Sequence, residues 1–247
     1  MCLSLISIGT CALPVSSVRA ADISFPAMHF SLDEADAPEQ VSNVLKIVLL
    51  LTILSLAPAF LILMTSFTRL AVIFSFLRHA LGTQSSPPNQ IIVGLALFLT
   101  FFIMQPVWTR IHQEALVPYQ QHEISGDEFL KRASKPLKDF MLRQTRKKDL
   151  ALFVSLSQDE KPRNAEALSL TTIVPAFVTS ELKTAFQIGF MLYLPFIVLD
   201  MVVSSILLSM GMMMLPPVMI SLPFKLMLFV LVDGWNLLIS SLVKSFQ

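Results

Sequence analysis

Three charged side chains interrupt the apolar last quarter of the sequence, and they are the residues there that could do chemistry. Asp200 and Asp233 lie on neighbouring apolar runs, with Lys225 between them. Two carboxylates close enough to share a proton are what an intramembrane aspartyl protease needs. The Gly-x-Gly-Asp setting of such enzymes is absent, since the motifs are Leu-Asp-Met and Val-Asp-Gly. We therefore expect a structural role for these charges and no enzyme activity.

These charges are too costly to leave facing lipid. One charged side chain at the middle of a lipid-facing helix costs about 2.5 to 3.5 kcal/mol, so three would cost about 8 to 10 kcal/mol. Lys225 cannot reach Asp233 along one straight helix, because the eight residues between their positions rise about 12 Å. The candidate partners of Lys225 are Asp200 and Glu181, within the chain or across to another copy. We expect Glu181 of an adjacent copy.

Helical arithmetic leaves two registers open for the hairpin that carries these residues. A turn centred on Pro216-Pro217 brings Asp200 level with Asp233. A turn centred on Met212-Met213 places Asp200 opposite Lys225 instead.

A cluster of methionines occupies the link between the two apolar runs, at Met210, Met212, Met213 and Met214. Such a cluster is often irregular core packing. Thioethers on unbranched stems also re-pack readily against changing shapes, so several copies around an axis would form a deformable seal. A seal of this kind suits a conduit for variable cargo better than an ion filter, which needs carbonyls or fixed charges.

Composition narrows the class of protein. With 54% hydrophobic and 14% charged residues, the 247-residue chain is typical of membrane proteins. A net charge of +1 gives no basic surface for nucleic acid. The two cysteines, Cys2 and Cys11, leave the rest of the chain without thiols, and the four histidines have no ligand spacing, so we expect no metal. No phosphate-binding glycine loop is present, and we expect no cofactor.

The pattern along the chain predicts an all-helical fold, with four long apolar helices forming hairpins and amphipathic helices between the second and third. A basic connector, Ser66 to Asn89, places the first turn in the cytoplasm by the positive-inside rule. Pro136 marks the first turn of a second amphipathic helix. The predicted segments are a signal peptide (1–20, cleaved after Ala20), an acidic extracytoplasmic tail (21–43), an apolar hairpin (44–108), a polar extracytoplasmic helical segment (109–184) and a second apolar hairpin with the methionine-rich loop (185–247).

Long stretches of the sequence resemble the FliP family of flagellar type III export proteins. The matching stretches are PAFVTSELKTAFQIGF from Pro175, PFIVLDMV from Pro195, LRHALGTQSSPPNQ from Leu77, GLALFLTFFIM from Gly94, FMLRQTR from Phe140, GMMMLPP from Gly211 and LPFKLMLFVLVDGW from Leu222. The signal peptide and acidic lead favour the flagellar branch over the virulence-secretion branch of the family.

The resemblance implies a structural subunit of an export gate in the bacterial inner membrane, at the flagellar basal body. Several copies, a homopentamer by resemblance, assemble with FliQ-like and FliR-like subunits and other export-apparatus membrane proteins. Unfolded flagellar proteins pass through as cargo. The four methionines match the family's methionine-rich constriction, and Glu181 and Lys225 match charged positions of its signature segments. From composition alone, a secondary transporter that uses the interior charges as an ion site is the alternative.

Overall fold

The computed structural model describes residues 38–83, 86–157, 168–212 and 215–246, with side chains from residue 44 onward. The chain divides into two compact units, Met1–Leu50 and Leu51–Gln247. Of the first unit, the described part is the beginning of one helix. All packing discussed below belongs to the second unit. The predicted signal peptide lies outside the described residues, as does most of the predicted acidic tail.

Every regular element in the described ranges is helical, which confirms the predicted fold class for that part of the chain. The helices are α1 (Pro38–Met64), α2 (Phe67–Ala80), α3 (Asn89–Ile111), α4 (Val117–Gln120), α5 (Gly126–Gln144), α6 (Lys147–Leu156), α7 (Leu170–Ser209), α8 (Pro217–Leu231) and α9 (Gly234–Lys244). A π-helical segment, His112–Leu116, joins α3 to α4.

The longest helix, α7, contains 40 residues and contacts α2, α5, α6 and α8. It begins at Ser169, whose hydroxyl accepts a hydrogen bond from the Thr171 amide. Pro175 and Pro195 lie inside it, where each removes one backbone hydrogen bond. The contacts of α7 with the other helices compensate for these lost bonds, and α7 continues without a break past residue 184, where the sequence predicted a boundary. The predicted division between a polar segment and an apolar hairpin is therefore not a break in the structure.

The predicted basic connector is for the most part a helix, and this corrects the sequence-based interpretation of it. Helix α2 buries Leu70, Phe74 and Leu77 at helical spacing against α7. The two helices approach closely, since a Cβ added at Gly189 would stand 2.7 Å from the Phe76 ring. Arg69 is buried in this contact and so cannot count as a loop charge, which weakens the charge argument for topology.

The predicted amphipathic helices are present as α5 and α6. Ser125 caps the N-terminus of α5, because its hydroxyl accepts a hydrogen bond from the Glu128 amide. Pro136 lies in the interior of α5 and begins no second helix, which corrects that detail.

Two apolar clusters form the core of the second unit. The first joins α2, α3, α7, α8 and α9 around Leu70, Phe74 and Ala96. The second joins α3, α5 and α7 around Met104, Met141 and Phe177. Phe246, which follows α9, packs against both clusters.

Three helical stretches are long and apolar enough to cross a membrane, namely Val44–Met64, Asn89–Gln120 and Leu170–Ser209. The pair α8 and α9 adds a fourth if the two form one span, but they meet at a bend of 63°. The predicted four long helices are thus matched in part. Little of this apolar surface is covered within the chain, because only 0%, 33% and 11% of the residues are buried in the apolar 18-residue window of each stretch.

Candidate functional site

The most buried charged group is the ion pair between Arg69 of α2 and Glu181 of α7. Their residues are 2% and 0% exposed. Arg69 Nε donates to Glu181 Oε2 at 2.8 Å, and Arg69 Nη2 donates to Glu181 Oε1. This fork-to-fork arrangement neutralises both charges and fixes the angle between the two side chains.

Arg69 also holds the end of α5 and the residues after α9. Its Nη2 donates to Gln144 Oε1 at 3.1 Å, and its Nη1 donates to the Ser245 carbonyl and hydroxyl at 3.3 and 3.1 Å. The Phe246 ring lies 3.8 Å from the guanidinium carbon, and Gln144 Nε2 donates to the Phe246 carbonyl. A guanidinium has five N–H groups, and Arg69 makes five hydrogen bonds. Arg69 and its partners, hereafter the Arg69 node, connect four parts of the chain.

The second ion pair joins α7 to α8. Lys225 Nζ donates to Asp200 Oδ2 at 2.7 Å, and the Ser221 hydroxyl donates to Asp200 Oδ1 at 2.5 Å. Ser221 and Lys225 are four residues apart, so they lie on one face of α8 and both address the same carboxylate. The loop after α2 passes beside this pair, because a Cβ at Gly82 would lie 3.8 Å from Lys225 Nζ.

Within this chain Lys225 pairs with Asp200, the other of its two candidate partners, and Glu181 pairs with Arg69. The expected pairing of Lys225 with Glu181 of an adjacent copy stays a prediction. The hairpin turn falls between Ser209 and Pro217, so its centre agrees with the register in which Asp200 faces Lys225. In that register α8 continues for about 9 Å beyond Lys225 to Leu231 before the bend that carries Asp233, so the two aspartates cannot share a proton.

Asp233 occupies the bend between α8 and α9, hereafter the elbow. Its backbone is left-handed, with φ 50° and ψ 52°, a conformation that aspartate tolerates better than most residues. The next residue is Gly234, where a Cβ would stand 2.3 Å from the Phe229 ring. The close approach of this ring explains why glycine opens α9. The Asp233 side chain is exposed and makes no hydrogen bond or ion pair in the part of the chain that the structure describes.

The methionine cluster lies where α7 ends. Gly211 has φ +73°, and the amides of Gly211 and Met212 donate to the carbonyls of Leu208 and Leu207. These two bonds form a Schellman motif, which closes the helix and turns the chain out of it. Met210 and Met212 are 66% and 40% exposed. Met213 and Met214 lie outside the described residues.

Sequence reasoning singled out Glu181, Asp200 and Lys225 but missed Arg69 and Ser221, which satisfy their carboxylates. A signal for Arg69 was present. Apolar residues at helical spacing on both sides of it predict a helix with a buried face. Ser221 gives no such signal, because serine is common on any helix of this class.

An all-helical chain with several apolar helices of bilayer length, and with charges paired inside it, defines the class of α-helical membrane proteins. Among the described residues, no group of three side chains could hold a metal ion.

The comparisons identify the family. A profile of the FliP family matches residues 50–242. The flagellar biosynthetic protein FliP of Bacillus subtilis (strain 168) is 59% identical over 209 residues, which cover 85% of this chain and 95% of that protein. The protein of the same name from Aquifex aeolicus (strain VF5) is 54% identical, covering 90% of this chain and 92% of that protein. The one from Pectobacterium carotovorum subsp. carotovorum is 56% identical, covering 80% and 76%. The chain belongs to the FliP family.

Proposed function

We propose that this chain is a non-enzymatic channel subunit of a flagellar type III protein export gate in the bacterial inner membrane. Several copies, five by the family resemblance, assemble with FliQ-like and FliR-like subunits around a common axis. Unfolded flagellar proteins pass along that axis. The flagellar role is supported by family membership and by the names of the relatives, which are flagellar and not virulence-type.

Assembly is supported by the large apolar surface that one copy leaves open. No residue of Val44–Met64 is buried, and the exposed faces of α7 and α8 include Phe190, Met201 and Met219. Lipid covers such a surface, and so does a neighbouring subunit. The interior charges offer little to a secondary transporter, because both ion pairs are closed within the chain.

The observation that carries the proposal is the exposed methionine turn at the end of the α7 and α8 hairpin. The Schellman motif turns the chain out of α7 at Gly211, beside the exposed Met210 and Met212, and the pairing of Asp200 with Lys225 holds α7 and α8 together. Thioether side chains from several copies form a seal that deforms around differing segments of cargo. We infer that Met213 and Met214 contribute to the same seal.

The seal is tested by replacing Met212, Met213 and Met214 with alanine in the assembled gate. We expect increased leakage of small ions or solutes with unchanged assembly, because alanine is too short to fill the constriction. The matched control replaces Met191 and Met227 with alanine, since these methionines are exposed on α7 and α8 away from the turn. Leakage that stays at the level of the control would rule out the seal.

A further inference from the structure

One carboxylate of the apolar helices has no partner within the described part of the chain. Glu181 and Asp200 are each bound by a cation, whereas the side chain of Asp233 has no bonding partner there. A carboxylate in an apolar run requires a cation or water. If the elbow is buried by assembly, the partner of Asp233 must come from outside the described residues.

The surface around Asp233 is otherwise apolar. Val230 and Leu231 are 75% and 76% exposed, and Val232 is also exposed. The 63° bend places these side chains and Asp233 together at one corner of the molecule. The elbow is therefore an apolar tip with a single negative charge, and it fits a surface that is apolar with a single positive charge.

The same chain carries a groove of that description. It lies between α3, α5 and the residues after α9, with a volume of about 690 Å³. Phe102, Pro106 and Phe246 contribute to its walls, and Arg143 lines it as well. Arg143 is exposed and makes no hydrogen bond or ion pair among the described residues. A smaller groove along α5 contains Lys131 and Lys135, but its volume is only about 290 Å³ and Leu142 is the one apolar residue among the described residues that line it.

The elbow cannot reach the groove of its own chain. Helix α9 separates them, and it rises about 15 Å from the elbow to Val243 at the groove. A second copy is free of this restriction.

We propose that the elbow of one copy docks into the groove of the next, where Asp233 pairs with Arg143. This inference rests on the proposed assembly of several copies. The two surfaces are different, so the contact is head-to-tail, and repeating it generates a ring when the rotation closes. The apolar tip displaces water from the groove. The ion pair between Asp233 and Arg143 then fixes the orientation of one copy relative to the next.

The contact is tested by disulfide cross-linking in membranes that contain the other gate subunits. Cys2 and Cys11 are replaced by serine, and Arg143→Cys is combined with Asp233→Cys. Each copy then presents one cysteine to either neighbour, so we expect a ladder of cross-linked species larger than a dimer. The matched control is Lys147→Cys with Asp233→Cys, because Lys147 is an exposed cation at the start of α6, four residues after Arg143, and does not line the groove.

Charge reversal provides the second measurement. We expect Arg143→Glu or Asp233→Lys alone to lower the yield of assembled rings about tenfold, and the two together to restore most of it. Intact rings with no cross-link between positions 143 and 233 would overturn this contact and leave the proposed function standing. Wild-type chains that form no multimer with the other subunits present would overturn both. Arg143→Glu that removes bound phospholipid without changing assembly would assign the groove to lipid and overturn the contact.

Discussion

The two ion pairs of α7 differ in how many parts of the molecule they join and in how well they are shielded. Arg69 and Glu181 are almost fully buried and connect α2, α5, α7 and the residues after α9. Lys225 and Asp200 connect only α7 and α8, and the Asp200 side chain is 29% exposed. The Arg69 node therefore holds the unit together, whereas the second pair sets the register of one hairpin.

The two ion pairs differ more in the cost of removing one partner than in the net stability that each pair contributes. Removing one partner of a fully buried pair leaves a charge that water cannot reach, which is much more costly than the pair's net contribution. Removing Lys225 should cost less, because the Asp200 carboxylate is partly exposed to water and keeps the Ser221 hydroxyl as a donor. Three substitutions test this ranking, in decreasing order of expected effect.

Arg69→Ala gives the largest effect. It leaves Glu181 buried without a cation and removes the donors to Gln144 and Ser245, so we expect a loss of about 3 to 5 kcal/mol in the free energy of unfolding. Denaturant unfolding in detergent, followed by circular dichroism, measures it. The control is Arg110→Ala, because Arg110 pairs with Glu114 and Asp139 at the surface, where each pair contributes less than about 1 kcal/mol. Equal losses in the free energy of unfolding for the two substitutions would show that the Arg69 node contributes no more to stability than an exposed ion pair.

Lys225→Met gives an intermediate effect. Asp200 keeps the Ser221 hydroxyl and some contact with water, so we expect a loss of about 2 to 3 kcal/mol. Adding Asp200→Asn to the same chain removes the unpaired charge, and we expect it to recover part of the loss in the same unfolding measurement. A double variant less stable than Lys225→Met alone would contradict the pairing.

Ser221→Ala gives the smallest effect, about 1 kcal/mol, because Asp200 retains Lys225. Ser205→Ala is the control, since the Ser205 hydroxyl is exposed and bonds only to the Met201 carbonyl of its own helix. Unfolding of both variants under one set of conditions measures the difference. A loss at Ser221 as large as that of Lys225→Met would show that the hydroxyl, and not the ion pair, sets the register.

The helical class was accessible from the sequence because it depends on local periodicity, whereas the pairing of Asp200 with Lys225 was only one of two open registers. Helical arithmetic allows a turn centred on Met212-Met213 or one centred on Pro216-Pro217. The capping of α7 at Gly211 selects the first. A glycine followed by methionines is compatible with either turn, so the choice required the observed backbone.

The Arg69 node could not be predicted, since it depends on long-range packing. Arg69 and Glu181 are 112 residues apart, and Ser245 is 176 residues from Arg69. In a short stretch with several basic residues, an arginine at the start of a helix looks the same as one in a cytoplasmic loop. The continuity of α7 was hidden for a related reason. Pro175 and Pro195 weaken a helix locally, and only its contacts with four other helices compensate.

Saturation of the Arg69 guanidinium has a consequence for the proposed channel function. A cation with spare N–H groups attracts carboxylates, phosphates and peptide carbonyls, and would retain an unfolded chain moving past it. Arg69 has no spare donor, and Glu181 cancels its charge. In the proposed export channel, Arg69 would therefore attract neither acidic nor polar segments of a passing polypeptide.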